Sequence, residues 1–198
     1  MSTLRDIEIH PGLNSRFNGF LSSALEPIVG VQFRNGATIG GSIYSRFAFS
    51  DILTALLALD TEVELYHCGI IPLAQYVNMP LDRDILVSII VQKKCRKAVF
   101  LSQRLSATDL PILTCAVSND SGHWKIVLGA RPSRARLTEF VLGGKPEKAD
   151  IEQWIKQVYD TVEFGANARG SNEYRQHIAG VMIQRCITSV MTGGSNEN

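Results

Sequence analysis

The chain has 198 residues, of which 45% are hydrophobic and 20% charged, and its 20 basic and 19 acidic side chains leave a formal net charge of +1. This length suits one large domain or two small ones, with enough apolar residues for a sizeable core. The balanced charge argues against a nucleic-acid partner, because such proteins commonly carry a basic surface patch. The basic run Lys93–Lys97 is typical of a solvated turn between strands.

The cysteines and the hydropathy of the chain indicate its cellular compartment. The four cysteines, Cys68, Cys95, Cys115 and Cys186, form no C-x-x-C pair, so we do not expect zinc or an iron–sulfur cluster on this chain. Residues 1–9 lack the apolar stretch of a signal peptide, and no segment approaches the roughly 20 apolar residues of a membrane span. These features predict a soluble cytoplasmic protein with reduced thiols.

The first elements are predicted to be helical. Apolar residues over Leu13–Ile28 recur at the spacing of one amphipathic helix. A glycine-rich segment over residues 34–42 follows it. Asp51 is then expected to cap a short buried helix over residues 52–59.

The middle of the chain is predicted to be rich in strands. Alternating or β-branched runs cover residues 62–67, 70–73, 85–91, 98–101, 112–117 and 124–128. Asn119–Gly122 is a turn segment that predicts a hairpin between the last two runs. The character of the sequence changes around the basic run, which predicts a boundary between units at residues 1–92 and 93–198.

Two helices are predicted to close the chain. Apolar residues at helical spacing mark one face over residues 151–162 and another over residues 174–182. Ser171 is suited to cap the second helix, and Gly193 with Gly194 to end it. The whole pattern indicates an α+β protein of two units.

The segment Arg34–Ser42, with sequence RNGATIGGS, carries the strongest functional signal. Three glycines in one short run are costly to order, because glycine loses much backbone entropy on folding. Such a run commonly serves to let backbone N–H groups approach a phosphate or a cofactor. A plain tight turn is the alternative, because glycine also serves any turn with positive φ. Asp51 and Glu62 are two candidate carboxylates, and the alternative roles are a helix cap for Asp51 and a strand surface for Glu62.

Hydrolytic chemistry is not indicated. The sequence contains no G-x-S-x-G and no H-E-x-x-H motif, and its four histidines lie far apart. The residues alone therefore describe a two-unit α+β protein with one candidate phosphate or cofactor segment.

Several short motifs in a common order resemble the flavin-binding subunits and domains of molybdenum hydroxylases, which include xanthine dehydrogenase and carbon monoxide dehydrogenase. The matching pieces are RNGATIGGS at 34–42, SD at 50–51, ALLALDTEVEL at 55–65, DIL at 84–86, ATDL at 107–110, LGARP at 128–132 and RGSNEYR at 169–175. Each piece is weak alone, but together they extend over nearly the whole chain.

The resemblance implies a fold. It predicts a second FAD-binding subdomain, of the PCMH type, over residues 1–92. A subdomain similar to the C-terminal part of the carbon monoxide dehydrogenase flavoprotein, with a small antiparallel sheet plus helices, is expected over residues 93–198. The first flavin subdomain of the family, which carries the pyrophosphate loop, is not expected in this sequence.

The resemblance also implies a site. By position in the family's motifs, the predicted FAD-binding residues are Thr38, Ile39, Gly40, Gly41, Asp51 and Leu86. Asp51 is expected to bond the flavin side of the cofactor, and Leu86 to pack near the isoalloxazine ring. Ser42 replaces a usual asparagine, and Leu101 replaces a lysine near the flavin, which leaves Arg104 as a nearby cation.

Two functions follow from the resemblance. The first is an electron-transfer subunit that binds FAD, takes electrons from iron–sulfur centres and passes them to NAD⁺ or another acceptor. The molybdenum cofactor and the [2Fe–2S] centres are then expected on partner subunits. The second is a non-catalytic scaffold or interaction subunit that has lost FAD binding. Either form is expected to associate with partner subunits or with itself. The face against which the family's first flavin subdomain would pack is expected to be apolar and exposed.

Overall fold

The computed structural model describes residues 1–80, 83–94 and 96–193. Its helices are α1 (Leu4–Ile9), α2 (Pro11–Arg16), α3 (Phe20–Leu25), α4 (Val31–Gly36), α5 (Ile39–Tyr44), α6 (Asp51–Ala58), α7 (Leu73–Asn78), α8 (Lys148–Thr161) and α9 (Asn172–Thr192). Its strands are β1 (Thr61–Leu65), β2 (Gly69–Pro72), β3 (Leu86–Val91), β4 (Lys97–Gln103), β5 (Leu113–Asp120), β6 (His123–Gly129) and β7 (Arg136–Val141). Two residues named in the sequence predictions, Cys95 and Gly194, lie outside the described residues.

The single helix predicted over Leu13–Ile28 is wrong, because two short helices, α2 and α3, replace it. Asn18 and Gly19 have φ angles of 49° and 71°, and this left-handed backbone ends a right-handed helix. The Gly19 N–H donates to the Asn14 carbonyl at 2.9 Å. The apolar spacing nevertheless identified core residues correctly, since Phe20 on α3 is fully buried.

Helix α6 lies at the centre of the fold, and all eight of its residues are buried. It packs between α3 and the strands β5 and β6. Ser50 caps it, since its hydroxyl accepts the Leu53 N–H at 3.3 Å. The prediction that Asp51 is the cap is therefore wrong by one residue. Asp51 is the first helical residue, where the helix dipole also favours a carboxylate.

Strands β4, β5, β6 and β7 form an antiparallel sheet in that order. The predicted hairpin between β5 and β6 is confirmed, and the Asn119 side chain accepts the Gly122 N–H within it at 3.0 Å. Strand β7 was not predicted. One face of the sheet, including Ala116, shares a core with α3 and α6, while the other face, including Cys115 and Val117, packs with α8 and α9. Because both faces are covered, β5 is buried over most of its length.

Gly129 allows α6 to approach this sheet closely. A Cβ atom at this position would lie 2.2 Å from Thr54 Oγ1 and 2.5 Å from Thr114 Oγ1. The two threonine hydroxyls lie 3.1 Å apart and join α6 to β5. The start of α6 is thereby held in place against the sheet of β4, β5, β6 and β7.

A smaller antiparallel sheet has the order β2-β1-β3. The three strands were predicted with small differences in their bounds, whereas α7, which follows β2 directly, was not. The alternating burial along β1 matches the alternation of its sequence, because one face packs on the core that α6 shares.

The prediction for the C-terminal helix is confirmed at both ends. The Ser171 side chain accepts the Tyr174 N–H at 3.2 Å, and α9 ends at Gly193 with a φ of 71°. Tyr174 and Val181 are exposed, although they were predicted on the apolar face. Of the helices in the described ranges, none combines the length and apolar character needed to cross a membrane.

Asp60, which follows α6, binds the basic run at the predicted boundary. It accepts Arg96 Nε at 2.9 Å and Lys125 Nζ at 2.8 Å, and Lys94 Nζ lies 3.4 Å away. The Arg96 side chain is only 7% exposed. The interpretation of the run as a solvated turn is therefore wrong for Arg96.

Candidate functional site

A cavity of about 610 Å³ opens beside the first turn of α6, between the N-terminal helices and the segment that joins β4 to β5. This volume is in the range of about 300–1,000 Å³ that is usual for sites of small molecules and cofactors. The lining is mostly apolar: Leu4, Ile28, Val29, Phe33, Ala37, Phe47, Phe49, Ile52 and Leu110. The other lining residues are Thr38, Gly41, Ser42, Ser45, Ser50, Asp51, Arg104 and Asp109.

Thr38 enters this cavity from the start of a helix rather than from a loop. It is the N-cap of α5, and its hydroxyl oxygen accepts the Gly41 N–H at 3.1 Å. Extended residues at the N-terminus hold it in place, since Thr3 forms a β-bridge with Thr38 and the Ile39 N–H donates to the Ser2 carbonyl at 3.1 Å. The Thr38 hydroxyl proton remains available as a donor toward the cavity.

The glycines of this segment have ordinary backbone angles. Gly36, Gly40 and Gly41 are not among the residues with positive φ, so the alternative interpretation as a left-handed tight turn is wrong. A Cβ atom at Gly36 or Gly40 would meet no heavy atom within 4 Å. The backbone here is therefore open to the approach of another molecule.

The structure brings three of the six predicted site residues together. Thr38, Gly41 and Asp51 all line the cavity, whereas Ile39, Gly40 and Leu86 do not. Ile39 and Leu86 are partly buried against the central core, and Leu86 pairs with Leu65 across the small sheet. The contact of each of the six residues with a cofactor stays a prediction.

Asp51 forms a buried ion pair inside the cavity. Its Oδ1 accepts Arg104 Nη2 at 2.7 Å, and the side chains of Asp51 and Arg104 are 5% and 8% exposed. Burial raises the pKa of Asp51 to about 6, although the Arg104 charge and hydrogen bond act in the opposite direction. The carboxyl group can thus exchange a proton near neutral pH.

Arg104 is held by two further contacts. Its Nη1 donates to the Asp109 carbonyl at 2.5 Å and its Nε to Ser102 Oγ at 3.3 Å. The Asp109 carboxylate in turn accepts Arg169 Nη2 at 3.0 Å. Sequence reasoning noted Arg104 only as a nearby cation, because 53 residues separate it from Asp51 and no local signal indicates the pair.

The RGSNEYR motif supports this side of the cavity. Arg175 is fully buried, and its Nε donates to the Ile112 carbonyl at 2.9 Å. Its Nη1 donates to the Gly165 carbonyl at 2.8 Å, and its Nη2 to Asn167 Oδ1 at 2.6 Å. Arg175 therefore fixes the loop that carries Arg169. Sequence reasoning gave Arg175 no role beyond its place in the motif.

Aromatic side chains at the mouth of the cavity are exposed. Phe33, Phe47 and Phe49 are 57%, 54% and 40% exposed. The rings of Phe47 and Phe49 stack with centroids 5.1 Å apart and planes 9° from parallel. Contiguous exposed apolar groups of this kind mark binding surfaces.

Family models match both halves of the chain. The model described as the FAD binding domain in molybdopterin dehydrogenase matches residues 1–93. The model described as the CO dehydrogenase flavoprotein C-terminal domain matches residues 98–190. Two curated relatives, both named uncharacterized protein YgfM and from Escherichia coli strain K12 and Escherichia coli O157:H7, are 30% identical over 169 residues. The match covers 83% of this chain, which spans 64% of the length of these relatives.

Solved structures share the fold. Carbon monoxide dehydrogenase from Hydrogenophaga pseudoflava gives a TM-score of 0.88 at 21% identity, covering 98% of this chain and 74% of the other. Quinoline 2-oxidoreductase from Pseudomonas putida 86 gives a TM-score of 0.81 at 18% identity, covering 96% and 73%. The predicted α+β fold of a flavin-binding subdomain followed by a flavoprotein C-terminal domain is thus confirmed. The chain belongs to the FAD-binding flavoprotein family of the molybdenum hydroxylases.

Proposed function

We propose that this chain binds FAD in the cavity beside α6 and acts as an electron-transfer subunit of a molybdenum hydroxylase, similar to xanthine dehydrogenase. The observation that carries the proposal is that Thr38 and Gly41, predicted from one motif, and Asp51, predicted from another, line one cavity. When bound, FAD supplies the electron-transfer chemistry, while the protein binds and orients it.

The residues of the cavity fit such a cofactor. The apolar walls suit a planar ring system, the Thr38 hydroxyl can donate a hydrogen bond, and Gly41 brings backbone without a side chain to the cavity wall. Asp51 can accept a hydrogen bond when ionised and donate one when protonated. Arg104 brings the positive charge that an anionic cofactor favours.

In this proposal the chain works in the cytoplasm with subunits that hold the molybdenum cofactor and the [2Fe–2S] centres. Its electrons go to NAD⁺ or to another acceptor. The exposed ring pair of Phe47 and Phe49 is a surface that an adjoining polypeptide, or a second copy of this chain, would cover.

A second candidate function is a non-catalytic scaffold or interaction subunit of the same kind of complex. The exposed phenylalanines at the cavity mouth favour it, because a protein-binding surface needs no cofactor. The two candidates differ in what the cavity holds, and a single measurement separates them.

The test is the visible absorption spectrum of the purified chain, before and after FAD is added and the sample is desalted. Retained flavin absorption that Thr38→Ala weakens would support FAD binding at this site. A chain that stays colourless at all FAD concentrations, while its circular dichroism shows it folded, would contradict the proposal and favour the scaffold function.

A further inference from the structure

Arg104 has hydrogen-bonding capacity that its protein contacts do not use. A guanidinium group carries five N–H donors. Among the described residues, three contacts engage this one, to Asp51, Asp109 and Ser102, which leaves two N–H groups. Because Arg104 lines the cavity, these two donors are suited to a ligand there.

The charge of Arg104 is neutralised by Asp51 whenever Asp51 is ionised. The two groups lie 2.7 Å apart in a mostly apolar cavity, where charges are screened less than in water. An anion that approached Arg104 would also approach the Asp51 carboxylate and be repelled by it. Protonation of Asp51 removes that repulsion and leaves the positive charge free.

Few other charges act on this pair. Beyond Arg104 lie Asp109 and Arg169, which pair with each other at 3.0 Å. The elements packed against α6 carry these further ionisable side chains: Tyr44 on α5, Tyr76 on α7, Lys97 on β4, Cys115 and Asp120 on β5, His123 and Lys125 on β6, and Arg136 and Glu139 on β7. Within the described part of the chain, Arg104 is the one charge that shifts the pKa of Asp51.

We propose that Arg104 recognises an anionic group of the ligand that enters this cavity, and that Asp51 takes up one proton from solvent when that ligand binds. The ligand anion then replaces the Asp51 carboxylate as the partner of the positive charge. This inference rests on the proposed function, since it takes FAD as the ligand. It places the diphosphate beside Asp51, in place of the flavin side that the family resemblance implies for this residue.

The proposal predicts a pH dependence of binding. The competent form is the one with neutral Asp51, and the apparent dissociation constant rises as that fraction falls. Burial raises the pKa of Asp51 to about 6. Above that pH, FAD affinity is expected to fall by about tenfold per pH unit, and below it to level off.

The experiment is a titration of the full chain with FAD and with riboflavin, followed by flavin fluorescence, from about pH 5.5 to 8, a window set by the Asp51 pKa. We expect FAD binding to weaken with rising pH in the wild type. Asp51→Asn should bind FAD at high pH as tightly as the wild type does at low pH. Arg104→Gln should bind FAD weakly throughout, and Lys156→Gln, an exposed change on α8, should match the wild type.

Riboflavin lacks the diphosphate and serves as the neutral probe. We expect it to bind without this pH dependence or not measurably. Riboflavin binding with the same pH dependence as FAD would overturn the proposal, and so would a pH dependence that persists in Asp51→Asn. Thermal melts of each variant identify a folding defect, and if Arg104→Gln fails to fold, Asp51→Asn decides.

The two proposals fail in distinguishable ways. If FAD binds but its affinity does not change with pH, Arg104 and Asp51 lack the proposed roles in anion recognition and proton uptake, while the proposed function stands. If neither flavin binds at any pH, the proposed function fails and this inference fails with it.

Discussion

The two ends of α6 carry the same kind of side chain in opposite surroundings. Asp51 starts the helix and, within the described ranges, has one cationic partner, Arg104, inside a mostly apolar cavity. Asp60 follows the helix and has three cations within 4.0 Å, with its side chain 17% exposed. Burial raises the pKa of Asp51 to about 6. Burial also acts to raise the pKa of Asp60, but Arg96 and Lys125 hold it well below its usual range.

The difference shows that burial and the number of cationic partners together decide the charge state of a carboxylate. Asp60 stays ionised at neutral pH and joins β6 to the segment before β4, which is a structural role. Asp51 has too few partners to offset its burial, so its charge responds to pH and to whatever enters the cavity. The cavity beside Asp60, of about 500 Å³, is lined by both acidic and basic side chains and therefore favours no charge type.

Replacing Asp60 should have the largest effect. Asp60→Asn removes the charge that Arg96 and Lys125 share, and we expect the free energy of unfolding at pH 7 to fall by about 3 kcal/mol. Urea denaturation of the wild type and the variant measures this loss. Glu62→Gln is the matched control, since Glu62 accepts a hydrogen bond from a neutral donor, Gln92, in an exposed contact. Equal losses in the two variants would contradict the structural role.

Acid should remove the contribution of Asp60. Its pKa is lower in the folded than in the unfolded chain, so its stabilisation is complete above the unfolded pKa, near 4, and declines as the pH falls further. The stability difference between the wild type and Asp60→Asn should therefore shrink as the pH falls from 4 to 2. Unfolding curves at several pH values provide the measurement.

Asp51 should respond with the opposite sign. Its pKa is higher in the folded than in the unfolded chain. The free energy of unfolding therefore rises as the pH falls from about 6 to 4 and Asp51 becomes protonated in the folded chain. From pH 7 to 5, the wild type should gain about 1 kcal/mol relative to Asp51→Asn. A difference that stays constant with pH would mean that Asp51 is ionised throughout, like Asp60.

Helix caps near the cavity should have the smallest effects. Ser50→Ala removes the cap of α6 and should lower the free energy of unfolding by about 1 kcal/mol. Thr38→Ala should cost about 0.5–1 kcal/mol, because α5 is short and partly exposed. Thr38→Ser, which keeps the hydroxyl, is the control. Thermal denaturation compares the variants, and equal melting temperatures for Thr38→Ala and Thr38→Ser would contradict the capping role.

Local sequence alone determined much of this protein. Alternation identified most strands, helical spacing identified buried faces, and Ser171 identified the start of α9, because each signal acts within a few residues. The motifs, compared with a known family, selected six residues, of which Thr38, Gly41 and Asp51 line the cavity. The apolar spacing did not predict the end of α2, because the left-handed backbone at Asn18 and Gly19 leaves that spacing unchanged.

Only the tertiary structure decided the charge states and the partners. Arg104 meets Asp51 across 53 residues, and Arg175 reaches the Ile112 carbonyl across 63. The pKa of a carboxyl group depends on burial and on charges within a few ångströms, which chain folding sets and local pattern does not. For that reason the sequence identified Asp51 as a candidate site residue, while only the fold distinguished it from Asp60 at the other end of the same helix.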